Sequence, residues 1–217
     1  PVEGALLSLI GTLGRDDAVD GIILVRPFPN DTNPRRVAEA IPPAKDAEGM
    51  SPANYGATFL TKTYAEAASG ILPCTAFAVV ELLRSAEVPA AGRTATVVGR
   101  SNILGKPVAH LLNILDATVT LAHSRTPGLE SHLAAADIVV ACLGRPCFIR
   151  GSWLKQGAVV LDAGINSVDG RICGDVDFES ACKTASVITP VPGGVGPVTT
   201  AVLLSNVVRL AERRLAA

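Results

Sequence analysis

The chain has 217 residues, a formal net charge of −1 and 48% hydrophobic residues, enough apolar material for one large or two small globular domains. A near-neutral charge without basic runs gives no reason to expect nucleic acid or an anionic membrane as partner. No apolar run approaches the roughly 20 residues that span a bilayer, and no signal-peptide pattern opens the chain.

The cysteines show neither a CxxC nor a His-linked spacing. We therefore expect buried, reduced thiols without a disulfide or a metal site, and a cytoplasmic protein. Because the sequence starts at Pro1 and not at Met, we also expect that an upstream part is missing. The cysteines are Cys74, Cys142, Cys147, Cys173 and Cys182.

The first half of the chain mixes helices with one strand and one long loop. Apolar spacing predicts a helix over 6–13, and a continuous apolar run predicts a buried strand over 21–25. An Asn-Pro start predicts a helix over 33–40, whereas the turn-rich stretch 44–56 is predicted as a loop. A further apolar face predicts a helix over 76–85.

Two carboxylates, Asp46 and Glu48, lie two positions apart in the predicted loop. In an extended backbone both side chains point to one side. They either form a solvated charged turn or bind something. A natural domain boundary follows at 89–92, where proline, alanines and a glycine stand together.

The second half alternates strands with helical or short connecting segments, which is typical of a doubly wound parallel sheet. Parallel sheets bind ligands at the carboxyl ends of their strands, so we expect the strand ends to face one crevice. The predicted strands are 94–98, 118–122, 138–142, 159–163 and 186–189.

The stretch TATVVGRSNILGKP at 94–107 reads as strand, tight turn and helix start. Free backbone N–H groups and the positive end of a helix dipole would meet there, which suits a phosphate. The turn is a degenerate Rossmann turn, because Gly99 and Gly105 are present and Ser101 replaces the middle glycine. An ordinary glycine-bearing turn is the alternative.

The second strand does not end in a carboxylate, whereas in NAD-binding sheets a carboxylate at this position binds the ribose. The residues there are His123, Ser124 and Arg125. Together with Arg100 they suit a ribose that carries a 2′-phosphate, so the chemistry favours NADP over NAD. The alternative is that both arginines are solvated loop residues.

The segment PVPGGVGP at 190–197 combines stiff prolines with glycines that remove side chains. Pro197 is predicted to open a helix. A rigid backbone wall without side chains suits hydride transfer, because this reaction requires the two reacting carbons to be in contact. A structural loop is the alternative.

These segments resemble the bifunctional methylenetetrahydrofolate dehydrogenase/methenyltetrahydrofolate cyclohydrolase family, often called FolD. The resemblance rests on VVGRSNILGKP, ATVTLAHSRT, ADIVVACLGRP, GAVVLDAGIN, GDVDF and ITPVPGGVGPVTTAVLLSN, and upstream on GIILVRPFP, PPAKDAEG and LPCTAFAVVELL. It implies a Rossmann-like NADP-binding domain at 92–196. A smaller, incomplete α/β folate-binding domain at 1–91 would be completed by 197–217, with the folate in the cleft between the domains and a homodimer as the assembly.

The resemblance also implies roles for individual residues. Glu48 matches the acidic residue that grips the pterin, where the family usually has Asp, and Asp46 joins it as a candidate catalytic carboxylate. The implied substrate-binding residues are Val25, Glu48, Pro192, Gly193, Gly194, Val195 and Gly196. The implied cofactor-binding residues are Gly99, Arg100, Ser101, Gly105, Ser124, Ile165 and Thr199.

The chain departs from the family pattern in two places. The family's catalytic lysine lies in a Tyr-x-x-x-Lys motif that these 217 residues lack, and Val25 stands where the family has a partner glutamine. We therefore expect NADP-dependent oxidation of 5,10-methylenetetrahydrofolate, with cyclohydrolase activity only if the upstream lysine segment is present. The alternatives are a noncatalytic nucleotide-binding or oligomerising module and a dehydrogenase for another small substrate.

Overall fold

The computed structural model describes residues 2–25, 27–30 and 32–216; Pro1, Arg26, Asp31 and Ala217 lie outside the described residues. The chain forms two compact units. The first holds the residues up to 74 together with those from 201 on, and the second holds residues 75–200. The predicted α/β class with a parallel sheet is confirmed. The assignment of 92–196 to cofactor binding, and of 1–91 with 197–217 to folate binding, stays a prediction.

The helices and strands follow one another along the chain as follows. The α-helices are α1 (Val2–Arg15), α2 (Pro34–Glu39), α3 (Pro52–Leu60), α4 (Tyr64–Ser69), α5 (Cys74–Ser85), α6 (Gly105–Asn113), α7 (Leu129–Ala134), α8 (Phe178–Ala181) and α9 (Val195–Leu215). The strands are β1 (Thr94–Val98), β2 (Thr118–Ala122), β3 (Ile138–Ala141), β4 (Val159–Asp162), β5 (Asn166–Val168), β6 (Arg171–Cys173) and β7 (Val187–Ile188).

The second unit contains a five-stranded parallel sheet in the order β2-β1-β3-β4-β7. Val98, the last residue of β1, pairs with Ala122 of β2 on one side and with Ala141 of β3 on the other. The connection after β1 thus leads to β2 on one side of β1, and the connection after β2 leads to β3 on the other side. Parallel sheets bind ligands outside the carboxyl ends of the strands at such a switch point, here between β1 and β3.

The core of the second unit covers both faces of this sheet. Val139 of β3 packs in one hydrophobic cluster with Leu133 of α7 and Val160 of β4. Its neighbours Ile138 and Val140 point to the opposite face and are also 0% exposed. Burial on both faces explains why the central strands are continuous apolar runs without alternation.

An antiparallel hairpin, β5–β6, follows β4 and was not predicted. Its turn residues Asp169 and Gly170 have φ angles of 50° and 75°. Two consecutive left-handed residues suit a two-residue hairpin turn, for which Asp-Gly is a common sequence. The Asp-Gly pair was therefore the signal that could have revealed the hairpin.

The first unit consists of helices around an extended segment. Asn33 caps α2, because its side-chain oxygen accepts hydrogen bonds from the N–H groups of Arg35 and Arg36. Ile10, Ile22 and other apolar residues from α1, α2 and the extended segment form one buried cluster. A second cluster joins Ala47, Ile71 and Leu210.

Several sequence predictions need correction. The predicted strand over 21–25 is wrong: Ile22 makes only a single parallel bridge to Asp46. The predicted loop over 44–56 is also wrong, because α3 begins at Pro52 with its N-terminus capped by the Ser51 side chain. The last helix begins at Val195, two residues before Pro197.

The cysteines are only partly as predicted. All five are free, and Cys74 is buried, but Cys147 and Cys182 are exposed. Burial raises the pKa of the Cys74 and Cys142 thiols to about 12, so both are neutral at physiological pH.

Within the described ranges, none of the helices has both the length and the apolar character needed to cross a bilayer.

Candidate functional site

The turn after β1 is built on two close backbone approaches. A Cβ on Gly99 would lie 2.2 Å from the carbonyl oxygen of Cys142, and one on Gly105 would lie 2.0 Å from the carbonyl oxygen of Gly99. Gly99 also has a φ of +130°, which favours glycine. Both glycines that the sequence spacing singled out are therefore required by the backbone geometry.

Ser101 organises the start of α6. Its hydroxyl oxygen accepts hydrogen bonds from the N–H groups of Leu104, at 3.2 Å, and Gly105, at 3.4 Å. Helix N-termini carry partial positive charge, and the exposed Arg100 stands directly before Ser101. This arrangement provides the positive end of a helix dipole, a hydroxyl and a cation for an anionic group.

The turn after β2, residues 123–126, is held by its own hydrogen bonds. The N–H of His123 donates to the Thr126 hydroxyl at 2.9 Å, and the N–H of Thr126 donates back to the His123 carbonyl at 2.9 Å. The N–H of Arg125 donates to His123 Nδ1 at 3.1 Å. The turn therefore keeps its shape through local contacts.

These two turns line a cavity of about 510 Å³, which we call the turn cavity. Arg145, in the loop after β3, also lines it, and its guanidinium lies 4.0 Å from the centre of the Phe148 ring. Stacking on an aromatic ring restricts the arginine and leaves its edge free to donate. Arg125 is not among the lining residues, which include Arg100, Ser101, Ser124, Glu130, Arg145 and Phe148.

A second cavity of about 440 Å³, the glycine cavity, is lined by 162–165 and by most of 190–200. It contains the predicted wall residues Pro192–Gly196, together with Ile165 and Thr199. Ile165 is 71% exposed, so its side chain is accessible to a ligand in this cavity. A Cβ on Gly194 would meet the carbonyl oxygen of Pro190 at 2.5 Å, so this part of the wall requires a bare backbone.

The two cavities belong to the second unit and lie at the same edge of its sheet. The turn cavity adjoins the carboxyl ends of β1, β2 and β3, and the glycine cavity adjoins those of β4 and β7. From β1 to β7 there are three strand spacings, or about 14 Å at about 4.8 Å each. An elongated ligand such as a dinucleotide can extend over that distance.

Sequence reasoning missed two buried carboxylates near these cavities, Asp162 and Asp175, which are 3% and 0% exposed. Burial raises the pKa of Asp162, although hydrogen bonds from the N–H groups of Val176, Asp175 and Gly164 oppose the rise. An aspartate that ends an apolar strand and is followed by a glycine, as in LDAG, was the signal that could have revealed Asp162.

The predicted residues of the first unit lie near the extended segment. Glu48 Oε2 accepts a hydrogen bond from the N–H of Leu24 at 3.3 Å, and the neighbouring Val25 is 77% exposed. Asp46 is 1% exposed, and its Oδ2 accepts hydrogen bonds from Ser51 N at 2.6 Å and Asn54 Nδ2 at 3.0 Å. These contacts give Asp46 a structural role at the start of α3.

Comparison with known proteins agrees with this geometry. A family model described as "Tetrahydrofolate dehydrogenase/cyclohydrolase, NAD(P)-binding domain" matches residues 73–215. The "Bifunctional protein FolD" of Magnetococcus marinus is 49% identical over 97% of this chain and 72% of its own length. That of Anaeromyxobacter dehalogenans is 48% identical over 97% of this chain and 73% of its own length.

Solved structures give the same result. The bifunctional FolD enzyme of Campylobacter jejuni superposes with a TM-score of 0.91 at 40% identity, covering 98% of this chain and 74% of that one. The Trypanosoma brucei FolD, complexed with NADP cofactor and inhibitor, has a TM-score of 0.91 at 40% identity, covering 99% and 74%. With its NAD(P)-binding domain, this chain belongs to the tetrahydrofolate dehydrogenase/cyclohydrolase family.

Proposed function

We propose that this protein oxidises 5,10-methylenetetrahydrofolate to 5,10-methenyltetrahydrofolate with NADP as the hydride acceptor. The observation that carries the proposal is the pair of cavities at one edge of the parallel sheet, one equipped for phosphate and one with a bare glycine wall. The alternative of a noncatalytic module is not favoured, because the relatives that match nearly the whole chain are named as bifunctional enzymes.

In this proposal the turn cavity binds the phosphate-bearing half of the cofactor. The α6 N-terminus supplies the positive end of its dipole, Ser101 and Ser124 supply hydroxyl groups, and Arg100 supplies positive charge. The turn after β2 carries no carboxylate that would repel a 2′-phosphate. Glu130 also lines the cavity, but two arginines, Arg100 and Arg145, outnumber it.

The glycine cavity would hold the reacting ends. NADP bound there would accept a hydride from the methylene carbon of the folate. Ile165 would cover one side of the nicotinamide, while the wall from Pro192 to Gly196 lets a flat ring lie against the backbone and excludes water. The Thr199 hydroxyl donates to the Val195 carbonyl at 3.0 Å and keeps its oxygen available as an acceptor for cofactor.

We assign the dehydrogenase reaction, and not the hydrolysis, to the residues of this sequence. Oxidation leaves a cation that two nitrogens already stabilise, so positioning carries most of the catalysis. Hydrolysis must move protons and needs a tuned group such as the family's lysine. Glu48 remains our candidate for the substrate's acidic anchor, with Val25 beside it, whereas the contacts of Asp46 favour a supporting role over catalysis.

A spectroscopic assay of NADPH formation with methylenetetrahydrofolate tests the proposal. We expect turnover with NADP and a KM for NAD at least about tenfold higher, because charged hydrogen bonds to the 2′-phosphate are absent with NAD. Replacing Arg100 with Ala should raise the KM for NADP about tenfold and leave that for NAD unchanged.

The matched control is Arg125→Ala. Arg125 is exposed in the turn after β2 but does not line the turn cavity, so its loss should leave the preference between the coenzymes intact. Absence of NADPH formation would contradict the function. An unchanged preference in the Arg100 variant would contradict only the role of Arg100.

The proposal includes a cytoplasmic homodimer with tetrahydrofolate as its ligand, as the family resemblance implies. Sedimentation equilibrium at several concentrations tests the assembly, and a mass of one chain throughout would contradict it.

A further inference from the structure

The two buried carboxylates, Asp162 and Asp175, join loops that line different cavities. Asp162 ends β4 and lines the glycine cavity, while Asp175 follows the β5–β6 hairpin. The backbone N–H of Asp175 donates to Asp162 Oδ1 at 3.0 Å, so the two residues are in direct contact. We call them the carboxylate pair.

Asp175 accepts hydrogen bonds from three consecutive backbone N–H groups in the loop after β3. The donors are Leu143 at 2.7 Å and Gly144 at 2.9 Å, both to Oδ2, and Arg145 at 2.9 Å, to Oδ1. Leu143 and Arg145 line the turn cavity. Asp175 therefore fixes the backbone from which the Arg145 guanidinium extends.

The same carboxylate also reaches toward the glycine cavity. Asn166 Nδ2 donates to Asp175 Oδ1 at 2.8 Å, and Asn166 directly follows Ile165, which lines that cavity. Asp162 Oδ1 accepts from the N–H of Gly164 at 2.9 Å. Both oxygens of Asp175 are thus occupied by donors from two loops.

Two glycines make room for this arrangement in a reciprocal way. A Cβ on Gly164 would lie 2.2 Å from the Asp175 carboxyl carbon, and a Cβ on Gly174 would lie 1.9 Å from Asp162 Oδ2. Asp175 thus packs on Gly164, two residues after Asp162, and Asp162 packs on Gly174, one residue before Asp175. Contacts this short leave the two loops little freedom to move relative to each other.

We propose that the carboxylate pair acts as a positioning device that sets the distance between the two cavity walls, so that one cofactor molecule fits both. This inference rests on the proposed function, since it assumes that NADP extends from the turn cavity to the glycine cavity. Asp162 and Asp175 act in this inference through the loops they hold.

The test compares a ligand that fills both cavities with one that fills only the turn cavity. In Asp175→Asn, one carboxylate oxygen becomes an amide N–H₂ group, which faces backbone N–H donors and cannot accept their hydrogen bonds. The loops that Asp175 holds together are then free to move apart. We expect its affinity for NADP, measured by calorimetry, to fall at least tenfold. Its affinity for adenosine 2′,5′-bisphosphate should fall by a clearly smaller factor, because that fragment depends only on the loop after β3, whereas NADP also depends on the distance between the two cavities.

Asp137→Asn is the matched control. Asp137 also accepts a backbone hydrogen bond, from Thr94 N at 3.0 Å, but it precedes β3 at the opposite edge of the sheet. We expect it to change the affinity of neither ligand by more than twofold. If Asp175→Asn does not fold, Asn166→Ala removes a single donor and should lower NADP affinity about threefold while leaving the fragment unaffected.

Equal losses for NADP and for the fragment would overturn the inference, because Asp175 would then order only its own loop. Unchanged affinities in both variants would overturn it as well. Failure of the unmodified protein to bind NADP would instead contradict the proposed function, so the two failures are distinguishable.

Discussion

Aspartates at opposite edges of the sheet show how environment decides the role of one residue type. Asp137, at the amino end of β3, pairs with Lys155 at 2.6 Å and keeps 29% of its side chain exposed. The hydrogen bond from Lys155, followed by those from the Thr94 N–H and hydroxyl, lowers the pKa of Asp137 to about 2. Asp162, at the carboxyl end of β4, is buried, and its pKa is raised.

Asp137→Asn should reduce stability in a pH-dependent way. Because the folded pKa of about 2 lies below the unfolded value of 3.8, ionised Asp137 stabilises the native state above about pH 4. This contribution disappears as the pH falls through about 2. After allowance for solvent screening of a partly exposed pair, we expect a loss of about 1 kcal/mol at pH 7.

Urea unfolding of both proteins between pH 7 and pH 2.5 measures this loss. The difference in the free energy of unfolding should be constant down to about pH 5 and shrink below pH 4. A difference that persists undiminished at pH 2.5 would show that the Asp137 charge contributes nothing.

At the residue level, site residues whose identity is restricted by local backbone geometry can be predicted from the sequence. Site residues that depend on burial in the tertiary structure cannot. Gly99, Ser101 and Gly105 follow from a local pattern of strand, turn and helix. Asp175 does not, because its donors come from residues up to 32 positions away in the chain. A carboxylate with distant partners looks like any polar loop residue in the sequence.

Among the elements, α3 was concealed by its composition. Small and polar residues suggested a loop, but Ser51 and Pro52 together form an ordinary helix start. The central strands were predictable because their apolar runs are uninterrupted. The extended segment at 21–25 has a similar run yet forms a single bridge, since strand formation also needs partners on neighbouring chain segments.

Gly56→Ala in α3 should raise the free energy of unfolding by about 0.5–1 kcal/mol, because glycine in a helix interior loses more conformational entropy than alanine. A Cβ at this position meets nothing within 4 Å. Thermal unfolding followed by circular dichroism provides the measurement.

Gly49→Ala is the opposing control for Gly56→Ala. Gly49 has a φ of +70°, and a Cβ there would lie 2.4 Å from the Leu72 carbonyl carbon, so this variant should be destabilised. Destabilisation by both variants would show that α3 does not form a regular helix at Gly56.

For the whole molecule, the division into two units has consequences for ligand binding. Both cavities are lined only by residues 75–200, which form the second unit. The parallel class of the sheet followed from the alternation of strands with helical segments, because local patterns suffice there.

NADP should therefore protect the second unit selectively. At a hundredfold excess over Kd it should stabilise that unit by about 2.7 kcal/mol, and NAD at equal concentration should stabilise it less. Hydrogen exchange should slow within residues 75–200 and change little in residues 2–74. Equal thermal shifts with both coenzymes would contradict the 2′-phosphate assignment.

The turn at 123–126 closes on itself through its own hydrogen bonds. In evolutionary terms, this segment is interchangeable: a descendant could exchange these four residues without rebuilding the rest of the fold. Under the proposed function, coenzyme choice and catalytic alignment can thus diverge independently, since one depends on Arg100 and this turn and the other on the aspartates that hold the cavity loops.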